Sequence, residues 1–409
     1  MTQFIQKRCA PFFALIMLVP LNHALAFTFQ EAIQKISSHA SVQAIDEKSN
    51  AIIQEGRNQS AWGDPMLRVS AKNFPVESLS YDQTPMTGIE FGISQNIPIT
   101  GKYGKIKDAF DQLAHATKYQ SEDKQRQLIQ SLWLILIENR KIEEEIVIIK
   151  ENLQWIGNIV KVSERLYANG SISQQALLDI KIRHSELEAQ LSNKKYESQE
   201  QLDLLGYILG FDNASLNKDT VPWHILDKID ENPIDTRQRS FEHTLSSKES
   251  MLQARKRNVV PDLTLSLGYT LRSDIDQNGD FVSATVGFPF PISGKKSSSR
   301  NKAAYEKASA QNILEDYKNF KESRLRQQKH QIEKINEELK ILNTRSIEFA
   351  KNSREVTSKS YSLGRSTYIE LLQSELKLQN LLIQRSQLDG KLRSTKATYK
   401  FLIGDKLYE

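Results

Sequence analysis

The chain has 409 residues, of which 39% are hydrophobic and 26% are charged, with only 17 glycines and 11 prolines. Long charged stretches with spaced apolar residues are typical of extended helices rather than of a compact enzyme core. The 55 basic and 50 acidic residues nearly balance, so the charge gives no case for a nucleic-acid partner.

The N-terminal segment has the pattern of a secretory signal peptide. Lys7 and Arg8 form a basic head, an apolar run covers 12–21, and Ala24–Ala26 supplies small residues before a cleavage site. We therefore predict that residues 1–26 are a signal peptide. A membrane anchor is the alternative, but the apolar run is shorter than the roughly 20 residues that span a bilayer.

Several kinds of chemistry have no residues to support them in the mature chain. Cys9 is the only cysteine and lies in the signal segment, which excludes disulfides and thiolate metal sites. No histidine cluster has metal-site spacing, and no nucleophile–base motif stands out. We predict no catalytic residues, no metal site and no cofactor. No later apolar stretch is long enough for a transmembrane helix, so a membrane-inserted form has to be a β-barrel.

After an N-terminal helix, two segments separated by a turn-rich stretch show alternation of apolar and polar residues. Such alternation predicts strands with one apolar face and one polar face, and we place a β-hairpin at 65–97. A soluble hairpin packed on helices is the alternative to a membrane hairpin. The apolar positions are Leu67, Val69, Ala71, Ile89, Phe91 and Ile93.

A very long helix is predicted after this hairpin. No proline interrupts the chain from Gly101 to about Tyr167, which is roughly 65 residues or on the order of 100 Å of helix. A turn at Tyr167-Ala-Asn-Gly170 then starts a returning helix, with Ser171 or Ser173 as its N-cap, so that 101–210 form a helical hairpin. Spacings of four and three residues predict a coiled-coil seam. The seam residues are Ile142, Ile146, Ile149, Leu153, Ile156 and Val160.

The second half of the chain repeats the first. Landmarks recur in the same order at a nearly constant offset, 193 residues before the long helix and 194 residues after it. This predicts two tandem units, 27–210 and 238–409, joined by a linker or equatorial segment at 211–237. The matched landmarks are Ile97–Lys102 with Phe290–Lys295, Tyr167–Leu178 with Tyr361–Leu372, and Tyr207–Gly210 with Phe401–Gly404.

The second unit carries the same elements as the first. We predict a β-hairpin at 261–290 and a helical hairpin at 295–404, whose turn is Tyr361-Ser-Leu-Gly364 with Ser366 or Thr367 as the following N-cap. Four strands cannot close a barrel, and lipid does not tolerate open sheet edges. Membrane insertion therefore requires other protomers.

Three motifs in this arrangement resemble the TolC-type outer-membrane factor family, especially its CzcC/CusC-like heavy-metal branch. They are Tyr361–Leu372 at the second tip, Ser94–Lys102 between strand and helix, and Asp64–Leu67. The resemblance implies an α+β membrane protein, a homotrimer whose 12-stranded β-barrel continues into a long periplasmic α-helical barrel. It implies a passive outer-membrane channel of a tripartite efflux system for heavy-metal cations. The implied partners are a periplasmic adaptor and an inner-membrane pump of the resistance-nodulation-division class.

The same resemblance implies two groups of site residues. Glu370 and Gln373 fall on the positions of acidic gate rings, of which only Glu370 keeps the acid, and Tyr361 matches a tyrosine of the closing network. The arginine partner position of that network carries Ser366, next to Arg365. A solvated carboxylate at a helix start is the alternative for Glu370. The implied adaptor contacts are the tip residues Asn169, Gly170, Leu363, Gly364 and Arg365.

Other functions remain open from the sequence. The same channel type could serve drugs or type I protein secretion, since substrate choice generally resides in the pump. A periplasmic coiled-coil adaptor or scaffold is the alternative from another class. An adaptor would have a lipoyl-like β-domain and usually one helical hairpin rather than two complete units.

Overall fold

The computed structural model of the chain describes residues 26–210, 215–229, 233–290 and 292–408. The predicted signal peptide at 1–26 lies outside the described residues except for its last position. Two short parallel strands, β1 (Ala26–Phe27) and β4 (Ser215–Leu216), pair with each other. The other four strands form a single antiparallel sheet in the order β2-β3-β5-β6. These are β2 (Met66–Lys72), β3 (Gly88–Ile97), β5 (Leu263–Arg272) and β6 (Phe281–Gly287).

Helices make up most of the described chain, and helix, strand pair, long helix and returning helix occur in that order twice. A break at Ser38 and His39 divides the single N-terminal helix of the prediction in two. The helices of the first half are α1 (Phe29–Ser37), α2 (Ala40–Ser60), α3 (Lys102–Ala168) and α4 (Gln174–Leu209). Those of the second half are α5 (Thr236–Arg257), α6 (Lys295–Ile341), α7 (Ile347–Ser362) and α8 (Tyr368–Ile403).

The helix α3 runs through the whole helical region, and its 67 residues correspond to about 100 Å. Near the sheet it packs against α2 and α5, and farther from the sheet it packs against α4 and α8. The second half follows the same plan, with α6 against α5 near the sheet and α6 and α7 against α8 beyond it. The core is therefore a long strip between helices and not a compact centre.

The buried stripe of α3 differs from the predicted seam. Ile142, Ile149 and Ile156 are buried, but the other predicted seam residues are only half-buried. Glu145 and Asn152 are buried in their place. The sequence pattern missed this because apolar spacing gives no weight to polar residues inside a seam. The half-buried residues are Ile146, Leu153 and Val160.

The segment that joins the two halves belongs to the largest core cluster. Trp133 of α3 is fully buried and donates its indole N–H to the Leu407 carbonyl at 2.7 Å. Trp223 from the joining segment meets the Trp133 ring edge-on, with ring centroids 5.6 Å apart. The Phe29 ring of α1 also contacts Trp133, with ring centroids 5.1 Å apart. Phe29, Trp223 and Leu407, from the two ends of the described chain and from the joining segment, thus meet α3 at one level, around Trp133.

One turn of π-helix, Leu342–Ser346, separates α6 from α7. A π turn holds one residue more than an α turn. The offset between the two halves is 193 up to Leu342, which matches Ile149, and 194 at Tyr361, which matches Tyr167. The π turn therefore contains the extra residue of the second half. The buried faces of α6 and α7, before and after this turn, stay in register with the buried face of α3.

Candidate functional site: the exposed sheet face and the helical tips

One face of the four-stranded sheet consists of apolar side chains that nothing in the described chain covers. Leu67 is 79% exposed, Val282 is 76% exposed, and Leu267 on the inner strand β5 is still 59% exposed. A soluble hairpin packed on helices would bury these side chains against the helices. Exposed apolar patches of this kind instead mark interaction surfaces. The face is made of Leu67, Val69, Ile89, Phe91, Ile93, Leu265, Leu267, Tyr269, Leu271, Val282 and Val286.

The opposite face of the sheet is polar, and a buried carboxylate organises it. Glu90 on β3 is only 2% exposed. It accepts from Arg68 at 3.0 Å, from Lys72, and from the Ser283 hydroxyl at 3.3 Å. Gly268 makes room for the Glu90 carboxylate, since a Cβ there would lie 3.0 Å from Glu90 Cδ. Ion pairs to β2 and a hydrogen bond to β6 thus connect both strands to Glu90 of β3 across this face.

The base of the sheet joins the two halves through one lysine. Lys102, the first residue of α3, contacts Asp262 at 2.6 Å and donates to Asn258 at 2.8 Å. The Lys102 and Asp262 side chains are nearly buried. Since Lys102 belongs to the first half and Asp262 to the second, the two hairpins cannot move apart without breaking this ion pair.

Both helical hairpins end in the same capping geometry. Gly170 and Gly364 have left-handed backbone conformations, with φ of 73° and 69°, which favour glycine. Ser171 N–H donates to the Leu166 carbonyl at 2.8 Å, and Arg365 N–H donates to the Ser360 carbonyl at 2.9 Å. These are the long-range bonds of Schellman motifs, which leave Asn169, Leu363 and Arg365 exposed at the tips.

The returning helices begin with side-chain caps. Ser173 accepts from the Ala176 amide at 3.2 Å, and Thr367 accepts from the Glu370 amide at 3.2 Å. The structure therefore chooses Ser173 over Ser171 and Thr367 over Ser366. These caps fix the direction in which α4 and α8 leave the tips.

Glu370 completes a capping box at the start of α8. Its carboxylate accepts from the Ser366 hydroxyl at 2.6 Å and from the Thr367 amide at 3.0 Å. These bonds, that of Ser366 foremost, lower the pKa of Glu370 below its ordinary value. Gln373 lies one turn farther along α8, and both side chains are exposed. Glu370 is thus a charged group at the tip that already stabilises its own helix.

Tyr361 lies inside the helical region and not at its surface. Its side chain is 1% exposed, and its hydroxyl is 2.9 Å from the Ser163 hydroxyl of α3. It packs in an apolar cluster with Ile159, Ile180 and Leu371. The structure pairs Tyr361 with Ser163 of the first half, and places Arg365 and Ser366 elsewhere at the tip.

Comparison with known proteins gives structural matches only: no protein-family model and no curated protein matches the chain. The outer membrane protein VceC of Vibrio cholerae superposes with a TM-score of 0.75 at 15% identity, over 93% of this chain and 96% of VceC. CusC, solved in work on transmembrane channel formation, gives 0.75 at 14% identity, covering 93% and 94%. The CmeC outer membrane channel of Campylobacter jejuni gives 0.73 at 14% identity, covering 93% and 87%.

The chain has the fold of these outer-membrane channels. The agreement extends over nine-tenths of the chain, so it includes the sheet as well as the helical hairpins. The prediction that the chain is not an enzyme agrees with the description of these structures as channels.

Between the helices lies a set of buried and half-buried polar side chains that the sequence analysis did not predict. Arg183 of α4 contacts Glu375 of α8 at 3.3 Å and also donates to Gln379. On α3, Asn152 accepts from Arg354 at 3.3 Å. A signal was present, since Arg183 lies between Ile180 and Leu187, and Asn152 between Ile149 and Ile156, at seam spacings of three and four.

No group of three or more His, Cys, Asp and Glu side chains in the described ranges is arranged to hold a metal ion. Among the helices of the described chain, none has a stretch that is long and apolar enough to cross a membrane.

Proposed function

We propose that this chain is one protomer of a homotrimeric outer-membrane channel that works in a tripartite efflux system. The observation that carries the proposal is the two-faced sheet, whose exposed apolar side fits lipid and whose ionic side fits an aqueous interior. A signal peptide at 1–26 would export the chain, and the tandem units 27–210 and 238–409 would be its two structural repeats.

The sheet supports a barrel shared among protomers. Within the described chain, β2 pairs only with β3 and β6 pairs only with β5, so that both are edge strands. Lipid does not satisfy open edges. Three copies would supply twelve strands, with β6 of one protomer beside β2 of the next.

The long helices support a periplasmic tunnel below that barrel. We propose that the tips with Asn169, Gly170, Leu363, Gly364 and Arg365 meet a periplasmic adaptor, and that an inner-membrane pump of the resistance-nodulation-division class drives transport. A coiled-coil adaptor or scaffold is the weaker proposal, because both halves of this chain contribute strands to one sheet.

We propose a gate at the tips from Glu370, Gln373 and Tyr361. Three copies of Glu370 would place negative charge near the axis, which attracts cations, and the Tyr361–Ser163 bond would hold α7 to α3 in the closed form. The Glu370→Ala variant should lose cation block of conductance, while Glu348→Ala on the exposed face of α7 should keep it. Unchanged block in Glu370→Ala removes Glu370 from the gate.

For the cargo we propose heavy-metal cations, on the resemblance at Asp64–Leu67 and Ser94–Lys102. Drugs or a secreted protein are the alternatives. A deletion strain complemented with the chain distinguishes them, since metal export requires that metal tolerance is restored and drug tolerance is unchanged. The reverse result assigns the channel to drugs.

The test of the channel itself is extraction of the outer membrane with detergent, followed by sizing and planar-bilayer conductance. We expect a trimer that forms discrete conducting events. A soluble monomer that does not change bilayer conductance would contradict the proposal.

A further inference from the structure

The apolar face of the sheet continues beyond the last strand. On β6, Val282, Ala284 and Val286 lie on the apolar face, and three further apolar residues, Phe288, Phe290 and Ile292, follow the strand. Phe290 is 76% exposed and Ile292 is 85% exposed. Exposed apolar side chains therefore occur to within three residues of Lys295, where α6 begins.

A group of cations lies directly at the end of this surface. The last turn of α5 and the first turns of α6 are adjacent, because Lys296 donates to the Val259 carbonyl at 3.1 Å. We call these cations the junction cluster. It consists of Arg255, Lys256, Lys295, Lys296 and Arg300.

The junction cluster is not neutralised by carboxylates. Among the described residues no Asp or Glu forms an ion pair with any of its members, and all of them except Lys296 are exposed. The acidic residues nearest in sequence already have lysine partners: Asp262 pairs with Lys102 at 2.6 Å, Glu249 with Lys307 at 3.0 Å and Glu306 with Lys248 at 3.1 Å. Positive charge therefore accumulates on one side of the molecule.

The matching junction of the first half lacks such a cluster. There, Lys105 pairs with Asp108 at 2.6 Å and Lys107 pairs with Asp111 at 2.9 Å. The two junctions have the same local fold but differ in free charge. The unpaired cations are thus a property of the second junction and not of the fold.

Helix stability does not explain the part of the cluster on α6. Lys295, Lys296 and Arg300 lie in its first two turns, where the helix dipole disfavours positive charge. The two members on α5 lie in its last turn, where cations are favourable. The α6 cations are therefore the ones whose position needs another partner.

We propose that the junction cluster binds the headgroups of anionic phospholipids, with Phe288, Phe290 and Ile292 in the adjoining acyl region. The inference rests on the proposed function, because it requires the sheet to lie in the membrane. Aromatic side chains followed by cations are the arrangement that fits a membrane–water interface with negatively charged lipid. Each cation near such a surface strengthens binding by about fivefold.

The test uses the full-length chain purified in neutral detergent and titrated with phosphatidylglycerol or phosphatidylcholine, with bound lipid counted by native mass spectrometry. Wild-type protein should prefer phosphatidylglycerol. The double variant Lys295→Gln/Lys296→Gln should lose roughly 25-fold in apparent affinity for it. The matched control Lys105→Gln/Lys107→Gln should stay near wild type, and phosphatidylcholine binding should be the same in all three.

Several results would overturn the proposal. They are equal wild-type affinity for the two lipids, an equal loss in the control, and displacement of the lipid by inorganic phosphate at equal concentration. A change in the ion selectivity of conductance without a change in lipid binding would place the cations in the aqueous interior instead. Failure to insert even into neutral vesicles would overturn the proposed function as well, whereas normal insertion without a lipid preference overturns this inference alone.

Discussion

Arg183 of α4 and Glu375 of α8 form an ion pair inside the helical region, with a guanidinium nitrogen 3.3 Å from a carboxylate oxygen. Their side chains are 8% and 0% exposed. The second oxygen of Glu375 has no hydrogen-bond partner among the described residues. Burial raises the pKa of Glu375 above its ordinary value, although the charge of Arg183 opposes the shift.

Breaking this pair on one side should destabilise the helical region strongly. The Arg183→Leu variant leaves the Glu375 carboxylate buried without its cation, at a cost of about 3–5 kcal/mol in the free energy of unfolding. Adding Glu375→Leu should recover most of that loss. Denaturant unfolding followed by circular dichroism measures both. As a control, Arg326→Leu breaks an exposed pair with Glu322 and should have little effect; an equal loss there would contradict the argument.

Two carboxylates of α8 should give opposite pH dependences. The raised pKa of Glu375 means that its contribution to stability is full below the ordinary value of 4.5 and is lost as pH rises through the folded-state pKa. The lowered pKa of Glu370 means that its contribution is present above 4.5 and is lost as pH falls through the folded-state pKa.

The measurement is the free energy of unfolding against pH for wild type, Glu375→Gln and Glu370→Gln. Compared with Glu375→Gln, wild type should gain stability as the pH falls from neutral to about 4.5. Compared with Glu370→Gln, wild type should lose stability as the pH falls below about 4.5. Parallel curves for the two variants would show that the local contacts do not control these groups.

The π turn predicts an asymmetry between single-residue deletions. Deleting Asn343 converts Leu342–Ser346 to a regular helical turn and keeps the buried faces of α6 and α7, so the protein should remain folded. Deleting Lys150 from the matching part of α3 rotates the rest of that helix by about 100° and removes its buried stripe from the core. Thermal unfolding of the two variants compares them, and equal sensitivity would contradict the one-residue account.

The two faces of the sheet should differ in their tolerance of charge. Leu267→Lys places a cation on the apolar face and should cost about 2–4 kcal/mol of membrane insertion. Ser266→Lys on the polar face of the same strand is its control and should cost much less. Folding into lipid vesicles, measured by denaturant titration, tests the pair. If both variants insert equally, the apolar face does not meet lipid.

A tip glycine and a helix glycine should respond in opposite directions. Gly364→Ala forces a side chain into a left-handed conformation, at a cost of roughly 1–2 kcal/mol. Gly104 is inside α3 with open space around its missing Cβ, so Gly104→Ala should stabilise by up to about 1 kcal/mol. Thermal unfolding of the purified variants measures both; a stabilising Gly364→Ala would contradict the Schellman geometry.

The sequence by itself determined the local elements of this protein. Alternation predicted strands that the structure has at Met66–Lys72 and Leu263–Arg272, because a strand exposes its two faces with a period of two. The absence of proline predicted both ends of α3 to within about one residue. The glycines of both tips predicted the turns, because a left-handed cap strongly favours that residue.

The tertiary structure decided which strands pair and which helix faces are buried. Pairing of β3 with β5 makes one sheet from two hairpins, and no local pattern specifies which strands meet. The choice of Glu145 and Asn152 for the buried stripe of α3, over Ile146 and Leu153, depends on how α4 and α8 approach it. Burial and pairing of charged groups are set by contacts distant in sequence, whereas periodicity reports only on neighbours within a few turns.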